Sequence, residues 1–195
     1  MLVVRATDLA RFTYCARLPF FDRFMPIRPP LPRRLKMLWG KCYHFFKRLT
    51  VKGVKEELLE AEVNGVRLVG KPDVYQVHDG RAVVYEFKSY RSPGRTFYVK
   101  GLEIPCYPRD FVQLLAYGFL VGRSYDVDDV IMILQYRDQA FPFKLDNVLE
   151  SVFCWVVEEY RFTIENAIIH DVIIDHKCQA CQYLDLCLKI EKEMW

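Results

Sequence analysis

The chain has 195 residues, of which 52% are hydrophobic and 27% charged, and its formal net charge is +3. A chain of this size buries about 70% of its unfolded surface, so it is expected to fold as one globular domain without disulfides. No apolar run approaches the roughly 20 residues of a membrane span, and no signal-peptide core is present, which favours a cytoplasmic protein over a secreted, membrane-bound or disordered one.

Charge is distributed unevenly along the chain. Residues 1–55 carry a net charge of +11, whereas residues 56–195 carry a net charge of −8. Aromatic residues are interleaved with the basic ones in the first segment. Basic side chains bind phosphates and aromatic rings stack on unpaired bases, so this segment predicts contact with single-stranded nucleic acid. The alternative is that most of these aromatic side chains belong to the core.

The N-terminal part predicts two helices. Apolar residues at helical spacing indicate one helix over residues 7–25 and another over residues 34–50. Between them, prolines are expected to break the first helix and to form a stiff basic connector. The prolines of this connector are Pro26, Pro29, Pro30 and Pro32.

The middle of the chain predicts two β-hairpins. An Asn-Gly dipeptide at 64–65 is typical of a two-residue turn and would join two strands within residues 58–70. An Asp-Gly dipeptide at 79–80 would do the same within residues 73–88. Together these strands predict a meander of three or four strands.

The remaining elements alternate between helix and strand. Proline and glycine punctuate residues 89–108, which indicates a long functional loop. The expected elements after it are a helix over 109–121, strands over 129–136 and 141–144, and a helix over 146–165. We therefore expect an α/β or α+β fold with a mixed central sheet flanked by helices.

The second hairpin predicts a pair of carboxylates. If its turn has two residues, Tyr75 pairs with Val84, and by the same register Asp73 stands opposite Glu86. Lys88 then lies on the same face, one step along. Two such carboxylates repel each other unless a cation neutralises them, and a divalent ion with oxygen ligands does this well. The alternative is an ordinary solvated hairpin face.

Four short motifs carry a resemblance to a known superfamily. The run GKPD, which ends at Asp73, and EFK over 86–88 resemble the PD-(D/E)xK nuclease signature. GKCYH, which ends at His44, and QLLAY, from Gln113 to Tyr117, resemble motifs of the RecB branch of that superfamily. The order and spacing of all four agree over roughly residues 35–120, so the resemblance implies a restriction-endonuclease-like core.

The resemblance also implies a role for each residue. The ligands of one or two Mg²⁺ or Mn²⁺ ions would be Asp73, Glu86, the backbone carbonyl of Phe87, and His44. The catalytic residues would be Asp73, Glu86 and Lys88. Lys88 would orient the attacking water or stabilise charge on the transition state. Gln113 and Tyr117, one turn apart, would support the site and contact DNA, the alternative being that they form the polar edge of a core helix.

Three of the seven cysteines form a tight cluster in the sequence. Cys178, Cys181 and Cys187 predict a metal site, which needs a fourth ligand. Spacing alone does not identify the fourth ligand. It also does not tell a zinc site from an iron–sulfur cluster. The candidates for the fourth ligand are Cys15, Cys42, Cys106, Cys154, His170 and His176.

One cysteine near the N-terminus and three near the C-terminus resemble the arrangement of RecB-like nucleases with an iron–sulfur domain. The local sequence YCAR around Cys15 resembles the first ligand of those proteins, although alanine stands where proline is common. The resemblance implies a cluster held by Cys15, Cys178, Cys181 and Cys187, with [4Fe–4S] favoured over [2Fe–2S]. Residues 1–195 would form one nuclease domain, with a core over 34–165 and an iron–sulfur subdomain from 1–25 and 166–195.

A chain of this length without a helicase resembles the fourth family of CRISPR-associated (Cas) proteins. This implies a metal-dependent exonuclease on single-stranded DNA, mainly 5′→3′, that prepares DNA for spacer acquisition with the CRISPR integrase as partner. One alternative is a RecB-like repair or recombination nuclease outside CRISPR. Another is a non-catalytic iron–sulfur or zinc module that binds DNA.

Overall fold

The computed structural model describes residues 1–27 and 31–193. The elements in chain order are β1 (Leu2–Arg5), α1 (Ala6–Tyr14), α2 (Leu18–Phe24), α3 (Leu31–Thr50), β2 (Leu59–Val63), β3 (Val66–Gly70), β4 (Val74–His78), β5 (Arg81–Phe87), β6 (Phe97–Val99), β7 (Leu102–Ile104), α4 (Pro108–Tyr125), β8 (Asp129–Gln135), β9 (Ala140–Lys144), α5 (Asn147–Glu165), a 3₁₀ helix (His176–Ala180) and α6 (Leu184–Glu193). Among the helices of these described ranges, none has an apolar stretch long enough to span a bilayer.

Among the described residues there are three β-sheets, and the two larger ones lie around a central helix. The larger sheet has the order β4-β5-β8-β9, and its central pair, β5 and β8, is parallel. The smaller sheet has the order β1-β3-β2, with β1 parallel to β3. The expected mixed α/β architecture, with strands flanked by helices, is confirmed.

The prediction of one continuous meander is wrong, because the two hairpins belong to different sheets. β3 has no free edge for β4, since β1 pairs along one side of β3 and β2 along the other. In addition, Pro72 lies between β3 and β4 and has no N–H to donate to a ladder.

Both predicted hairpin turns are confirmed. Asn64 and Gly65 have φ values of 46° and 74°, and Asp79 and Gly80 have 49° and 75°. Positive φ at both central residues is the requirement of a type I′ turn, which Asn-Gly and Asp-Gly meet at low cost. The register of β4 against β5 includes the predicted pair Tyr75–Val84.

Helix α4 is the centre of the core. It packs against α1 on one side and against strands of both sheets on the other. Close approach requires glycine at Gly70, where an added Cβ would lie 2.8 Å from the side chains of Leu120 and Tyr117. Gly118 serves the same purpose on α4 itself, because a Cβ there would collide with Met132 of β8.

A second, smaller hydrophobic cluster lies apart from this core. Its buried members are Leu18, Phe21, Tyr183 and Cys187, and they come from α2 and the C-terminal segment. Val4, Ala6 and Leu9, from β1 and α1, belong instead to the main core. The N-terminal 24 residues thus contribute to both clusters.

Several predicted boundaries need correction. The helix predicted over 7–25 is two helices, because the backbone is extended at Cys15, with φ −158° and ψ 120°, and Pro19 favours a new helix start. Pro32 lies in the first turn of α3 rather than in a connector, while Pro29 and Pro30 lie outside the described residues. The loop predicted over 89–108 contains the β6–β7 hairpin, and β1 was not predicted.

Candidate active site and cysteine pocket

Asp73 lies directly before β4, at the end where β5 terminates. Its carboxylate accepts a hydrogen bond from the backbone N–H of Phe87 at 2.9 Å and lies 2.8 Å from Nδ1 of His44. Burial favours the protonated form of Asp73, but the hydrogen bond and charge of His44 outweigh it and lower the pKa. The β4–β5 ladder ends at Val74–Tyr85, so Asp73 flanks the strand pair and contacts Phe87 instead of pairing within the ladder.

Glu86 and Lys88 form a buried ion pair at the end of β5. Lys88 Nζ donates to Glu86 Oε1 at 2.9 Å and to Gln113 Oε1 at 2.7 Å. Burial raises the pKa of Glu86 to about 7, with the charge of Lys88 opposing the rise and that of Asp73 adding to it. For Lys88, burial lowers the pKa, but the carboxylates of Glu86 and Asp110 outweigh burial and raise it.

Helix α4 supplies the next residues of the site. Gln113 Nε2 donates to the hydroxyl of Tyr117 at 2.9 Å, one turn along the helix. Gln113 thus joins Lys88 to Tyr117, and Gly70 leaves room for the Tyr117 ring. The structure therefore brings together His44, Asp73, Glu86, Lys88, Gln113 and Tyr117, which we call the carboxylate site.

Sequence analysis did not identify Asp110, although this carboxylate is almost fully buried. It accepts hydrogen bonds from the hydroxyls of Tyr90 at 2.7 Å and Tyr136 at 2.8 Å, and it lies 3.4 Å from Lys88 Nζ. A signal was present: Asp110 precedes Gln113 by three residues, so the two share a helix face. An acid on the inward face of a core helix calls for a partner.

A cleft of about 760 Å³ runs from Lys88 and Gln113 to Cys181. Arg109 lies on its wall, with its guanidinium 5.3, 5.2 and 5.6 Å from three tyrosine rings. Those rings belong to Tyr14, Tyr90 and Tyr107. Contacts with these rings hold the guanidinium in place. It also lies 3.4 Å from Asp110, and its side chain remains 37% exposed.

Four cysteines line a second, mostly apolar cavity: Cys15, Cys178, Cys181 and Cys187. We call it the cysteine pocket. The extended backbone at Cys15 separates α1 from α2, and the short helix His176–Ala180 carries Cys178. Each of these cysteines is a free thiol.

The other candidates for a fourth ligand lie elsewhere. Cys42 is exposed on α3, and Cys106 is buried in the main core. Cys154 packs against that core from α5. The ring of His170 lies 2.7 Å from the hydroxyl of Thr163 through Nε2, and His176 begins the 3₁₀ helix but does not line the pocket.

The residue types at both places suit the metals that the sequence predicts. Carboxylate oxygens, as in Asp73 and Glu86, are the ligands that Mg²⁺ and Mn²⁺ prefer, and four thiols suit an iron–sulfur cluster. In the side-chain positions described here, however, no three His, Cys, Asp or Glu side chains lie together in a way that could hold a metal ion. Glu86 is engaged with Lys88, and Asp73 with His44.

Comparison with known families identifies the class of the protein. The model of the PD-(D/E)XK nuclease superfamily matches residues 8–188, so the chain belongs to this superfamily. The matched range includes all residues of the carboxylate site.

Two solved structures resemble this one. The crystal structure of SSO0001 aligns over 95% of this chain and 85% of its own, with 19% sequence identity and a TM-score of 0.53, which indicates a shared fold. A crystal structure of a candidate exonuclease from Eubacterium rectale aligns over 71% of this chain and 60% of its own, with 11% identity and a TM-score of 0.39. Comparison with curated protein sequences gives no match.

Proposed function

We propose that this protein is a metal-dependent exonuclease that degrades single-stranded DNA in the 5′→3′ direction. The observation that carries the proposal is the buried Glu86–Lys88 pair beside Asp73, in a chain of the PD-(D/E)XK nuclease superfamily. A buried acid and lysine two residues apart on a central strand are costly for a purely structural sheet. In phosphodiester hydrolysis both groups have a role, Glu86 as a metal ligand and Lys88 as a cation near the phosphate.

The metal ligands in this proposal are Asp73, Glu86, the carbonyl of Phe87, and His44. A divalent ion bound there supplies Lewis-acid chemistry at the phosphate oxygens. The chain prepares its own part: the Phe87 N–H and His44 fix the orientation of the Asp73 carboxylate. The lowered pKa keeps that carboxylate ionised at neutral pH.

Lys88 acts as a positioned cation next to the scissile phosphate. Gln113 and Glu86 both accept from its ammonium group, and Asp110 lies within ion-pairing distance. A cation held by three partners needs little reorganisation when negative charge develops on the phosphate. Lys88 therefore stabilises the transition state or orients the attacking water.

The substrate in this proposal is a single strand. The cleft beside Lys88 combines the Arg109 guanidinium with tyrosine rings, which is the combination that binds phosphates and stacks on unpaired bases. Gln113 lines this cleft and hydrogen-bonds to Tyr117, so both would support the site from α4, with Gln113 the nearer to DNA.

The cysteine pocket is proposed to hold an iron–sulfur cluster, [4Fe–4S] rather than [2Fe–2S], through Cys15, Cys178, Cys181 and Cys187. The cluster would tie α2 to the C-terminal segment and would have a structural role. In this scheme residues 34–165 form the nuclease core, and residues 1–25 with 166–195 form the iron–sulfur subdomain.

The biological setting that we propose is CRISPR adaptation in the cytoplasm, with the CRISPR integrase as partner. The support for this step is the sequence resemblance to the fourth Cas family. Co-purification of the tagged chain with the integrase encoded by the same genome is the expected result. If the gene for this chain lies beside recombination genes, and the chain binds no such integrase, the repair nuclease would be favoured instead.

The activity is tested with single-stranded DNA labelled at either end and protein purified without oxygen. Wild type is incubated with Mn²⁺, Mg²⁺ or EDTA, beside Glu86→Gln and the control Glu62→Gln, which alters an exposed acid on β2. We expect metal-dependent degradation from the 5′ end by wild type and the control, and none by Glu86→Gln. Intact DNA in every lane, together with tight DNA binding, would replace the nuclease by a non-catalytic binding module.

A further inference from the structure

Arg17 is buried beside the cysteine pocket. Its side chain is only 1% exposed, and it follows Cys15 by two residues, immediately before α2. An arginine stays charged at any physiological pH, so burying one requires strong partners. The partners of Arg17 therefore indicate what the surrounding structure is built to bind.

Two of the three guanidinium nitrogens are satisfied. Nε donates to the backbone carbonyl of His170 at 2.6 Å, and Nη2 donates to Glu191 Oε1 at 2.6 Å. Both contacts reach residues far along the chain and fix the plane of the guanidinium. The direction of the third nitrogen, Nη1, is thereby fixed as well.

Nη1 is buried and has no hydrogen-bond partner among the described residues. In the described part of the chain the only other buried side-chain polar atom without a partner is the hydroxyl of Tyr43. A buried N–H of a charged group that lacks an acceptor costs on the order of 1–3 kcal/mol. Such a group in an otherwise well-satisfied interior indicates that an acceptor is missing.

The neighbouring group on the pocket side is the thiol of Cys187. Cys187 precedes Glu191 by one helical turn on α6, so the guanidinium that binds Glu191 lies against the helix face that carries this sulfur. Cys187 is itself 8% exposed, so water does not compete strongly for the contact. The carboxylate of Glu191 is one-third exposed, at 34%, so water screens its ion pair with Arg17.

We propose that Arg17 donates a hydrogen bond to the Cys187 sulfur and places its charge next to the anionic iron–sulfur cluster, so that it retains the cluster and raises its reduction potential. This inference rests on the cluster proposed above. Adding one electron makes a thiolate-bound cluster more negative, and a fixed cation with an N–H···S hydrogen bond stabilises that form more than the oxidised one. Arg17 is therefore a positioning residue for the cluster, without contact to DNA.

A purely structural role is the competing explanation. In that case Arg17 would only link α2 to α6 through its ion pair with Glu191. The variant Glu191→Gln separates the two explanations, because it removes the ion pair and leaves the guanidinium beside Cys187. A control for the loss of a positive charge on α2 is Arg23→Gln, which alters an exposed arginine on the same helix.

The experiment compares full-length wild type, Arg17→Gln, Glu191→Gln and Arg23→Gln, purified without oxygen. The readouts are iron per chain, the rate at which the visible absorbance decays with an iron chelator, and the midpoint potential in a dithionite titration. For Arg17→Gln we expect about tenfold faster cluster loss and a lower potential. Glu191→Gln and Arg23→Gln should stay close to wild type in all three readouts.

Each outcome decides between the two proposals. Wild type without iron would overturn the cluster and this inference with it. Wild type with a cluster, and Arg17→Gln with unchanged decay and potential, would overturn the inference and leave the cluster standing. Equal effects of Glu191→Gln and Arg17→Gln would assign Arg17 a structural role. If Arg17→Gln does not fold, Arg17→Lys is measured in its place, because lysine keeps the positive charge but lacks the planar guanidinium. Cluster decay and a midpoint potential equal to those of wild type would then overturn the inference.

Discussion

One cleft is lined by Lys88 and Gln113 of the carboxylate site and by Cys181 of the cysteine pocket. The two sites differ in how far contacts within the protein satisfy their side chains. In the carboxylate site, Asp73 contacts His44 and Glu86 contacts Lys88. In the cysteine pocket, four thiols are free and an N–H of Arg17 lacks a partner among the described residues.

The difference follows from the chemistry of the two groups of residues. Buried carboxylates and lysines are charged, so they must be neutralised for the chain to fold at all. Buried thiols behave as small hydrophobic groups and tolerate a pocket without a ligand. The carboxylate site is therefore preorganised by contacts within the protein, whereas in the proposed scheme the cysteine pocket would take its final shape from its ligand.

The largest expected effect comes from breaking the preorganised site at Lys88. Lys88→Met should lower the cleavage rate by about 10²–10³-fold, because a positioned cation is lost. It should also lower the free energy of unfolding by about 3 kcal/mol, since Glu86 loses its buried partner. Rates of DNA cleavage and chemical denaturation measure the two effects. Lys144→Ala, which alters an exposed lysine on β9, is the control, and cleavage by Lys88→Met at the wild-type rate would rule out the assigned role.

The second prediction concerns the pocket. Cys181→Ser should lose most of its iron and visible colour and should melt at a lower temperature, because a hydroxyl is a poor replacement for a thiolate ligand. Cys154→Ser, on α5 against the main core, should keep both iron and colour. Iron content, absorbance and melting temperature are the measurements. The ligand assignment would be wrong if Cys154→Ser lost its colour and Cys15→Ser kept it.

A smaller effect is expected at Asp110, which lies 3.4 Å from Lys88 Nζ and lines the cleft. Asp110→Asn removes a charge next to Lys88 and an acceptor for the hydroxyls of Tyr90 or Tyr136, so stability should fall by about 1–3 kcal/mol. Cleavage should fall by about tenfold, because Lys88 is held less firmly. Tyr136→Phe, which removes one hydrogen bond and no charge, should affect stability more than cleavage. Equal losses of cleavage in both variants would mean that Asp110 acts through packing alone.

The sequence predicts the carboxylate site well because its signals are local. The Asp-Gly turn fixes the register of β4 against β5 as far as Val74–Tyr85, and Asp73, the next residue, then contacts the backbone N–H of Phe87 beside Glu86. Gln113 and Tyr117 lie on one face of α4 for the same local reason, helical periodicity.

The features that sequence analysis missed depend on distant contacts. β1 is four residues long and becomes a strand only through its parallel pairing with β3, some 60 residues later. The break at Cys15 interrupts an apolar pattern that continues at helical spacing on both sides, and the local signal for it, Pro19 at the start of α2, was not used. Asp110 needs Tyr90 and Tyr136 from other elements before its burial becomes favourable.

The ion pair between Arg17 and Glu191 spans 174 residues of sequence and has a consequence for biosynthesis. At a translation rate of about 5–20 residues per second, the ribosome needs roughly 10–35 s to proceed from one residue to the other. During that time the main core can form around α4. Cys15 is already part of the nascent chain, but Cys178, Cys181 and Cys187 have not yet been synthesised. In the proposed scheme, a group that needs all four thiols would therefore be loaded late, after the residues of the main core have been synthesised.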